Sequence, residues 1–117
     1  MSYKIGVIGC GNVGVAYIYS LVNQVLDINE IVMVDINKDR TVGKALDLSH
    51  GLAISRSYIN NIYYGGYDDL SDADIVCITA GMPQGAKKTS RMEDIEGCSK
   101  IIEEIMNNLN KFKFGGI

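Results

Sequence analysis

Three glycines near the start of the chain have the spacing that phosphate-binding turns use. The segment KIGVIGCGNVG leads from β-branched residues into Gly9, Gly11 and Gly14. In such a turn the first glycine permits a tight bend, the second lets a phosphate approach the backbone, and the third lets the following helix pack closely on the strand. Backbone N–H groups and the positive end of the helix then face the anion. An ordinary strand-to-helix turn has the same pattern, so the motif needs support from elsewhere.

An acidic residue at the end of the next apolar run gives that support. Asp35 closes the run EIVMVDI, about 20 residues after Gly14, where a carboxylate can accept hydrogen bonds from both ribose hydroxyls of an adenosine. The alternative is an exposed aspartate at a strand end. Asp35 also repels a 2′-phosphate, and no arginine follows it directly. The two features together therefore predict a dinucleotide site that takes NAD rather than NADP.

Strands and helices alternate along the chain, as such a site requires. Apolar runs predict strands at residues 5–8, 30–36, 59–64 and 74–81, and helical spacing of apolar residues predicts helices at 15–26, 41–53 and 92–112. No helix fits between the third and fourth strands. Because parallel neighbours need a crossover long enough to hold a helix, we expect an α/β fold of the Rossmann type, with three layers and a parallel sheet in the order 3-2-1-4.

The end of the chain adds one expectation to this fold. KFKFGGI follows the last predicted helix and has the pattern of the start of a fifth strand. We therefore expect a truncated fold, with residues 1–117 forming one dinucleotide-binding domain.

Composition and charge exclude several classes of partner. The apolar fraction of 47% and a single proline describe an ordinary globular chain. The net charge of −3, without a basic cluster, gives no reason to expect nucleic acid or an anionic membrane as partner. No apolar run approaches the roughly 20 residues that span a bilayer, and no signal-peptide pattern is present, so we expect a cytoplasmic location. Cys10, Cys77 and Cys98 lack the spacing of a metal site, and none is predicted.

Five segments, in order along the chain, resemble one domain of a known enzyme family. GCGNVG, VDINK, GKALDLSHG, DADIVCITAG and the following PQ…SR resemble the NAD-binding half of the lactate and malate dehydrogenases, and most of all the bacterial L-lactate dehydrogenases. The resemblance covers essentially the whole chain. It implies hydride transfer between NAD and a 2-hydroxy or 2-oxo acid such as lactate or pyruvate.

The resemblance also implies binding roles along the chain. Val13 would lie against the nicotinamide-side phosphates, Asp35 would hold the adenosine ribose, and Arg40 and Tyr67 would lie near the adenosine end. Gly81 and Met82 would line the nicotinamide half. The predicted cofactor-binding residues are Gly9, Gly11, Asn12, Val13, Gly14, Asp35, Arg40, Tyr67, Thr79, Ala80, Gly81 and Met82.

The segment PQGAKKTSRMED resembles a mobile loop that closes over the substrate in this family. Arg91 would be catalytic and substrate-binding, because a guanidinium aimed at the substrate carbonyl stabilises the charge that develops on its oxygen. Gln84 would be substrate-binding and face the variable end of the substrate. Glutamine there favours pyruvate and lactate, whereas malate dehydrogenases carry an arginine that pairs with a second carboxylate. The alternative for this segment is a solvated basic loop.

Two departures from the family pattern keep other substrates open. Six residues, 85–90, separate Gln84 from Arg91 where the family usually has five, and a proline is missing. Cys98 stands where the family usually has an asparagine, and Gly97 precedes it in the predicted helix. A 2-hydroxyisocaproate-type dehydrogenase, with a longer loop and a broader substrate range, is therefore an alternative.

The proton donor that ketone reduction needs is not predicted on this chain. In the family the catalytic histidine, its aspartate partner and the arginine that grips the substrate carboxylate lie beyond the position where this sequence ends. His50, the single histidine, falls at the far end of the second predicted helix, where a hydrogen bond within the fold or at a subunit contact is expected. We therefore expect no turnover by the chain alone.

A different class of function is also open. The chain could be a stand-alone dinucleotide-binding or oligomerising module without catalysis, for which a carbonyl-directed arginine would have no use. In either case an isolated half would expose an apolar face, so a homo-oligomer is expected.

Overall fold

Parallel strands form a single sheet at the centre of the molecule. The computed structural model describes residues 3–24, 27–52, 59–80 and 91–117, and for residues 91–96 it describes the backbone alone. The strands are β1 (Tyr3–Ile8), β2 (Ile28–Val34), β3 (Asn61–Tyr64) and β4 (Ile75–Ile78), and their order is β3-β2-β1-β4. The predicted class and strand order are confirmed.

Helices cover both faces of this sheet. The described helices are α1 (Asn12–Val22), α2 (Lys38–Gly51) and α3 (Arg91–Lys111). Ile18 and Val22 of α1 and Ala45 of α2 pack with one face of the strands, whereas Ile105 and Leu109 of α3 pack with the other. In β1 from Ile5 and in β2 from Ile31, odd and even residues therefore enter different cores, which explains why these runs are apolar without alternation.

Local chemistry moves several element boundaries away from the predicted ones. The α2 helix begins at Lys38 because the Asn37 side chain accepts a hydrogen bond from the Arg40 N–H at 3.2 Å and caps the helix. The β2 strand ends at Val34, and the apolar Ile36 beyond it is fully exposed at 101%. Between β3 and β4 the prediction of no α-helix is correct, but one turn of 3-10 helix covers Tyr67–Leu70.

The last residue of the chain makes the hydrogen bonds that would begin the expected fifth strand. Residues 113–117 are assigned to no strand. However, the Ile117 N–H donates to the Asp74 carbonyl at 2.8 Å, and the Val76 N–H donates to the Ile117 carbonyl at 2.6 Å. Parallel neighbours exchange hydrogen bonds in this pattern, so Ile117 lies where a strand next to β4 would begin.

The carboxyl end of β1 lies at the point where the sheet changes its direction of winding. From β1 the chain proceeds through α1 to β2 on one side, whereas β4 flanks β1 on the other side. In open α/β sheets a crevice forms outside the strand ends at such a point, and ligands bind there. The residues that directly follow β1, β2 and β4 are Gly9, Asp35 and Thr79.

Candidate functional site

The turn that follows β1 can be built only with glycine at two positions. Gly9 has a φ of +90°, which favours glycine, and a Cβ there would lie 2.5 Å from the Ala80 backbone. A Cβ on Gly14 would overlap the Gly9 carbonyl oxygen and lie 2.8 Å from Thr79 Oγ1. The tight bend and the close packing of α1 on β1 that the sequence predicts are therefore both present.

The second glycine of the turn faces open space instead. A Cβ on Gly11 would meet no heavy atom of the described residues within 4 Å. Gly11 is also the N-cap of α1, without a side-chain cap, and no acidic residue lies in the first turn of the helix. The positive end of the α1 dipole is thus neither capped nor neutralised from within the helix. Space and charge together suit an anion at Gly11.

Side chains from three elements hold the peptide groups of this turn. Thr79 Oγ1 donates to the Gly9 carbonyl at 2.5 Å. The Cys10 N–H donates to Asp35 Oδ2 at 2.6 Å, and Lys44 Nζ donates to the Cys10 carbonyl at 2.8 Å. These partners come from the ends of β4 and β2 and from α2. The conformation of the turn is therefore fixed before any ligand binds, which lowers the entropic cost of binding.

Asp35 is half-buried at the end of β2, and its carboxylate faces the turn. In addition to the bond from Cys10, its Oδ1 accepts the Asn37 N–H at 3.2 Å. Both bonds orient the carboxylate, and each oxygen keeps a further lone pair. A carboxylate held in this way can accept hydrogen bonds from the hydroxyl groups of a sugar beside the turn.

The Cys10 thiol lies beneath the turn and is only 2% exposed. Burial, followed by the Asp35 charge, raises the pKa of this thiol from 9.0 to about 12, although Lys44 acts in the opposite direction. The thiolate is the reactive form of cysteine, so Cys10 serves packing rather than chemistry. No group of metal-ligating side chains occurs among the described residues.

The structure describes the surroundings of four further predicted cofactor residues. Asn12 and Val13 begin α1 and are exposed, Val13 at 70%. Arg40 is exposed in the first turn of α2. Tyr67 packs with the core on the α3 side, where burial and the Glu104 charge raise its pKa. No contact of the described residues tests the roles assigned to these side chains, which stay predictions.

The predicted substrate residues lie at or beyond the limit of the described part. Gly81, Met82 and Gln84 lie outside the described residues. Arg91 is the first residue of α3, and its side chain is likewise outside them. The exposed His50 lies in the last turn of α2.

One residue that contacts the turn was not predicted from the sequence. Lys44 contacts Cys10 across 34 positions of sequence. It belongs to α2, where a partly exposed lysine is unremarkable as a pattern. Only the docking of α2 beside the turn reveals this contact.

A family match agrees with this geometry. The family described as lactate/malate dehydrogenase, NAD binding domain, matches residues 3–117. The chain belongs to this family. No helix among the described residues is long and apolar enough to cross a membrane.

Relatives and solved structures give the same assignment. An L-lactate dehydrogenase of Bacillus pumilus is 41% identical over 97% of the chain. A lactate dehydrogenase from a Medee basin deep-sea metagenome library has a TM-score of 0.89 at 37% identity over 99% of the chain and 36% of its own. A malate dehydrogenase of Archaeoglobus fulgidus in complex with NADH has a TM-score of 0.78 at 31% identity over 92% of the chain and 36% of its own.

Two consequences follow from these comparisons. The chain spans 35% of the length of the Bacillus pumilus relative. It therefore corresponds to the NAD-binding domain of longer proteins in this family. The family description and the NADH complex also support NAD as the cofactor, as Asp35 and the glycines predicted.

Proposed function

We propose that this chain, residues 1–117, is the NAD-binding domain of an L-lactate dehydrogenase in which hydride passes between NADH and pyruvate. The observation that carries the proposal is the turn at Gly9–Gly14, held by Thr79, Asp35 and Lys44 and open at Gly11. When bound, the oxidised cofactor would accept the hydride and the reduced cofactor would donate it. The chain's own residues bind and orient the cofactor.

The geometry of the turn fits a dinucleotide better than a single small anion. The pyrophosphate would lie over Gly11 at the uncapped start of α1, where backbone N–H groups and the helix dipole favour negative charge. Asp35 accepts the Cys10 N–H of the turn, and in this proposal its carboxylate also accepts a hydrogen bond from a ribose hydroxyl. A simple anion would gain nothing from a carboxylate at that position, because like charges repel.

The substrate assignment rests on two residues carried over from the family. Gln84 favours the uncharged methyl end of pyruvate over a second carboxylate, and Arg91 would polarise the carbonyl after loop closure. Arg91 begins α3, and β4 ends at the same sheet edge as the glycine turn. The six-residue spacing between Gln84 and Arg91 supports a 2-hydroxyisocaproate-type enzyme as the second candidate. Malate dehydrogenase is the third.

Self-association is part of the proposal. Val42 and Leu46 lie one turn apart on α2 and are 43% and 56% exposed. Residues four apart share one face of a helix, so α2 presents a small apolar strip. In the family α2 is a dimer contact, and we assign this strip to a second copy of the chain. We also place the protein in the cytoplasm, in keeping with the sequence prediction.

Titration of the chain with NADH and NADPH tests the cofactor part of the proposal. We expect NADH to bind and NADPH to bind about tenfold more weakly, because the 2′-phosphate meets the Asp35 carboxylate. Fluorescence anisotropy of the reduced nicotinamide measures both. Equal dissociation constants would contradict the role of Asp35.

Reconstitution with the C-terminal part of a related L-lactate dehydrogenase tests the catalytic part. We expect pyruvate reduction to appear only in the mixture, and Arg91→Ala to lower kcat by about a hundredfold or more. Arg40→Ala is the matched control and should affect KM for NADH rather than kcat. Nucleotide binding without any reconstituted activity would favour the stand-alone binding module.

A further inference from the structure

Lys44 is the one cation that contacts the turn among the described residues. Its Nζ lies 2.8 Å from the Cys10 carbonyl oxygen, and the contact is partly buried. The lysine extends from the middle of α2, so its hydrogen bond joins this helix to the start of α1. Holding a long, flexible side chain in one position costs conformational entropy, and the charge-assisted hydrogen bond offsets that cost.

The amide that Lys44 contacts is the one that presents the Gly11 N–H. The Cys10 carbonyl and the Gly11 N–H belong to the same peptide group. A hydrogen bond to the oxygen polarises the amide and makes its N–H a stronger donor. Gly11 is also the residue with open space at its Cβ position. By this effect Lys44 would make the Gly11 N–H a stronger donor to a pyrophosphate bound at the turn.

Lys44 also balances the charge of Asp35. The carboxylate accepts the Cys10 N–H on one side of the residue, and the ammonium group donates to the Cys10 carbonyl on the other. The two charges shift the pKa of the Cys10 thiol in opposite directions. A carboxylate placed for the ribose disfavours a nearby phosphate, and a cation at the same residue offsets that repulsion.

We propose that Lys44 is a positioning residue for the phosphate-binding turn, which holds the Cys10–Gly11 peptide toward the dinucleotide pyrophosphate and offsets the charge of Asp35. The inference rests on the proposed function, because it assumes a dinucleotide at the turn. It assigns to α2 an indirect part in cofactor binding, through the Cys10–Gly11 peptide, in addition to its packing against the sheet.

Three variants of the chain test this assignment. Lys44→Met removes the charge and the donor but keeps the length of the side chain, and Lys44→Arg keeps both. Lys111→Met, in the last turn of α3, removes the same charge from a helix that packs on the other face of the sheet. NADH affinity is measured by fluorescence anisotropy, and Tm is measured without ligand.

We expect Lys44→Met to weaken NADH binding about tenfold, as for the loss of a charge-assisted hydrogen bond, with Tm unchanged. Lys44→Arg should restore most of the affinity, and Lys111→Met should bind as the unaltered chain does. Binding by Lys44→Met within about twofold of the unaltered chain would overturn the inference. So would a loss of affinity that follows a fall in Tm and that Lys44→Arg does not restore. Failure of the unaltered chain to bind NADH would instead contradict the proposed function, and the inference with it.

Discussion

The two ends of the parallel sheet use their charged residues in different ways. At the amino end Lys4 contacts Asp72 Oδ1 at 2.6 Å and Glu30 Oε2 at 3.8 Å, so these charged side chains pair with one another. At the carboxyl end Asp35 and Lys44 instead bond to the N–H and carbonyl of Cys10. The first arrangement pairs side-chain charges with one another at the surface. The second fixes a backbone whose free donors and helix end remain available to a ligand.

The largest difference between the two ends should come from the glycine that shapes the turn. Gly9→Ala places a Cβ at a φ of +90° and 2.5 Å from the Ala80 backbone. We expect a loss of about 3 kcal/mol in the free energy of unfolding, from backbone strain and overpacking together. NADH binding should be lost because the turn must move. Urea denaturation and NADH titration measure the two effects.

Gly43→Ala is the matched control for that substitution. Gly43 lies within α2, and a Cβ there would meet no described heavy atom within 4 Å. The same change should therefore stabilise the chain by about 0.5–1 kcal/mol, since alanine restricts the unfolded chain and favours the helix. If Gly9→Ala behaved like Gly43→Ala, the strain assigned to the turn would be wrong.

A smaller contrast is expected between the aspartates of the two ends. Asp35→Ala leaves the buried Cys10 N–H without its acceptor and removes the group assigned to the ribose. We expect NADH affinity to fall by about tenfold to a hundredfold. The preference for NADH over NADPH should narrow, because the repulsion of the 2′-phosphate is lost as well. Parallel titrations with both nucleotides measure the two quantities.

Asp72→Ala serves as the control at the amino end. The Asp72 side chain is 73% exposed, so its ion pair with Lys4 should contribute no more than about 1 kcal/mol to stability. Nucleotide affinity should not change. An equal loss of NADH affinity in both variants would remove the distinction between the two ends of the sheet.

Much of this fold follows from local patterns in the sequence. Apolar runs without alternation predicted strands buried on both faces, and the glycine spacing with Asp35 predicted which strand ends would meet. These signals are short-range or have a fixed spacing, so a single sequence carries them. The end of β2 was placed too late because Ile36 is apolar yet fully exposed, and apolar character alone does not show which residues the core covers.

The supporting contacts of the site could not be predicted in the same way. Lys44 and Thr79 contact the turn from 34 and 70 positions away along the chain. Thr79 was assigned to cofactor binding, and the structure gives it a hydrogen bond to the Gly9 carbonyl. A lysine on a helix and a threonine after a strand are common, and their contacts depend on how the elements pack. Tertiary geometry alone reveals them.

The smallest contrast concerns alkaline stability, and it arises from the Cys10 thiol. Its pKa is raised to about 12 in the folded chain, from an ordinary value of 9.0. Above the ordinary value the unfolded chain loses this proton while the folded chain keeps it. The folded state then binds more protons, so its stability falls with rising pH by up to about 1.4 kcal/mol per pH unit.

Cys10→Ala should flatten this alkaline decline and leave stability near neutral pH lower by only a small amount. Urea denaturation of both chains between about pH 8 and pH 10 measures the slopes, and the tyrosines, which begin to titrate in this range, are common to both chains. At the amino end, Asp72 should affect the stability of the fold at acidic pH instead. Lys4 lowers the pKa of Asp72, so the stability that this carboxylate contributes is lost as acid protonates it. Parallel alkaline slopes in the two chains would show that the thiol beneath the turn is not held in its neutral form by burial.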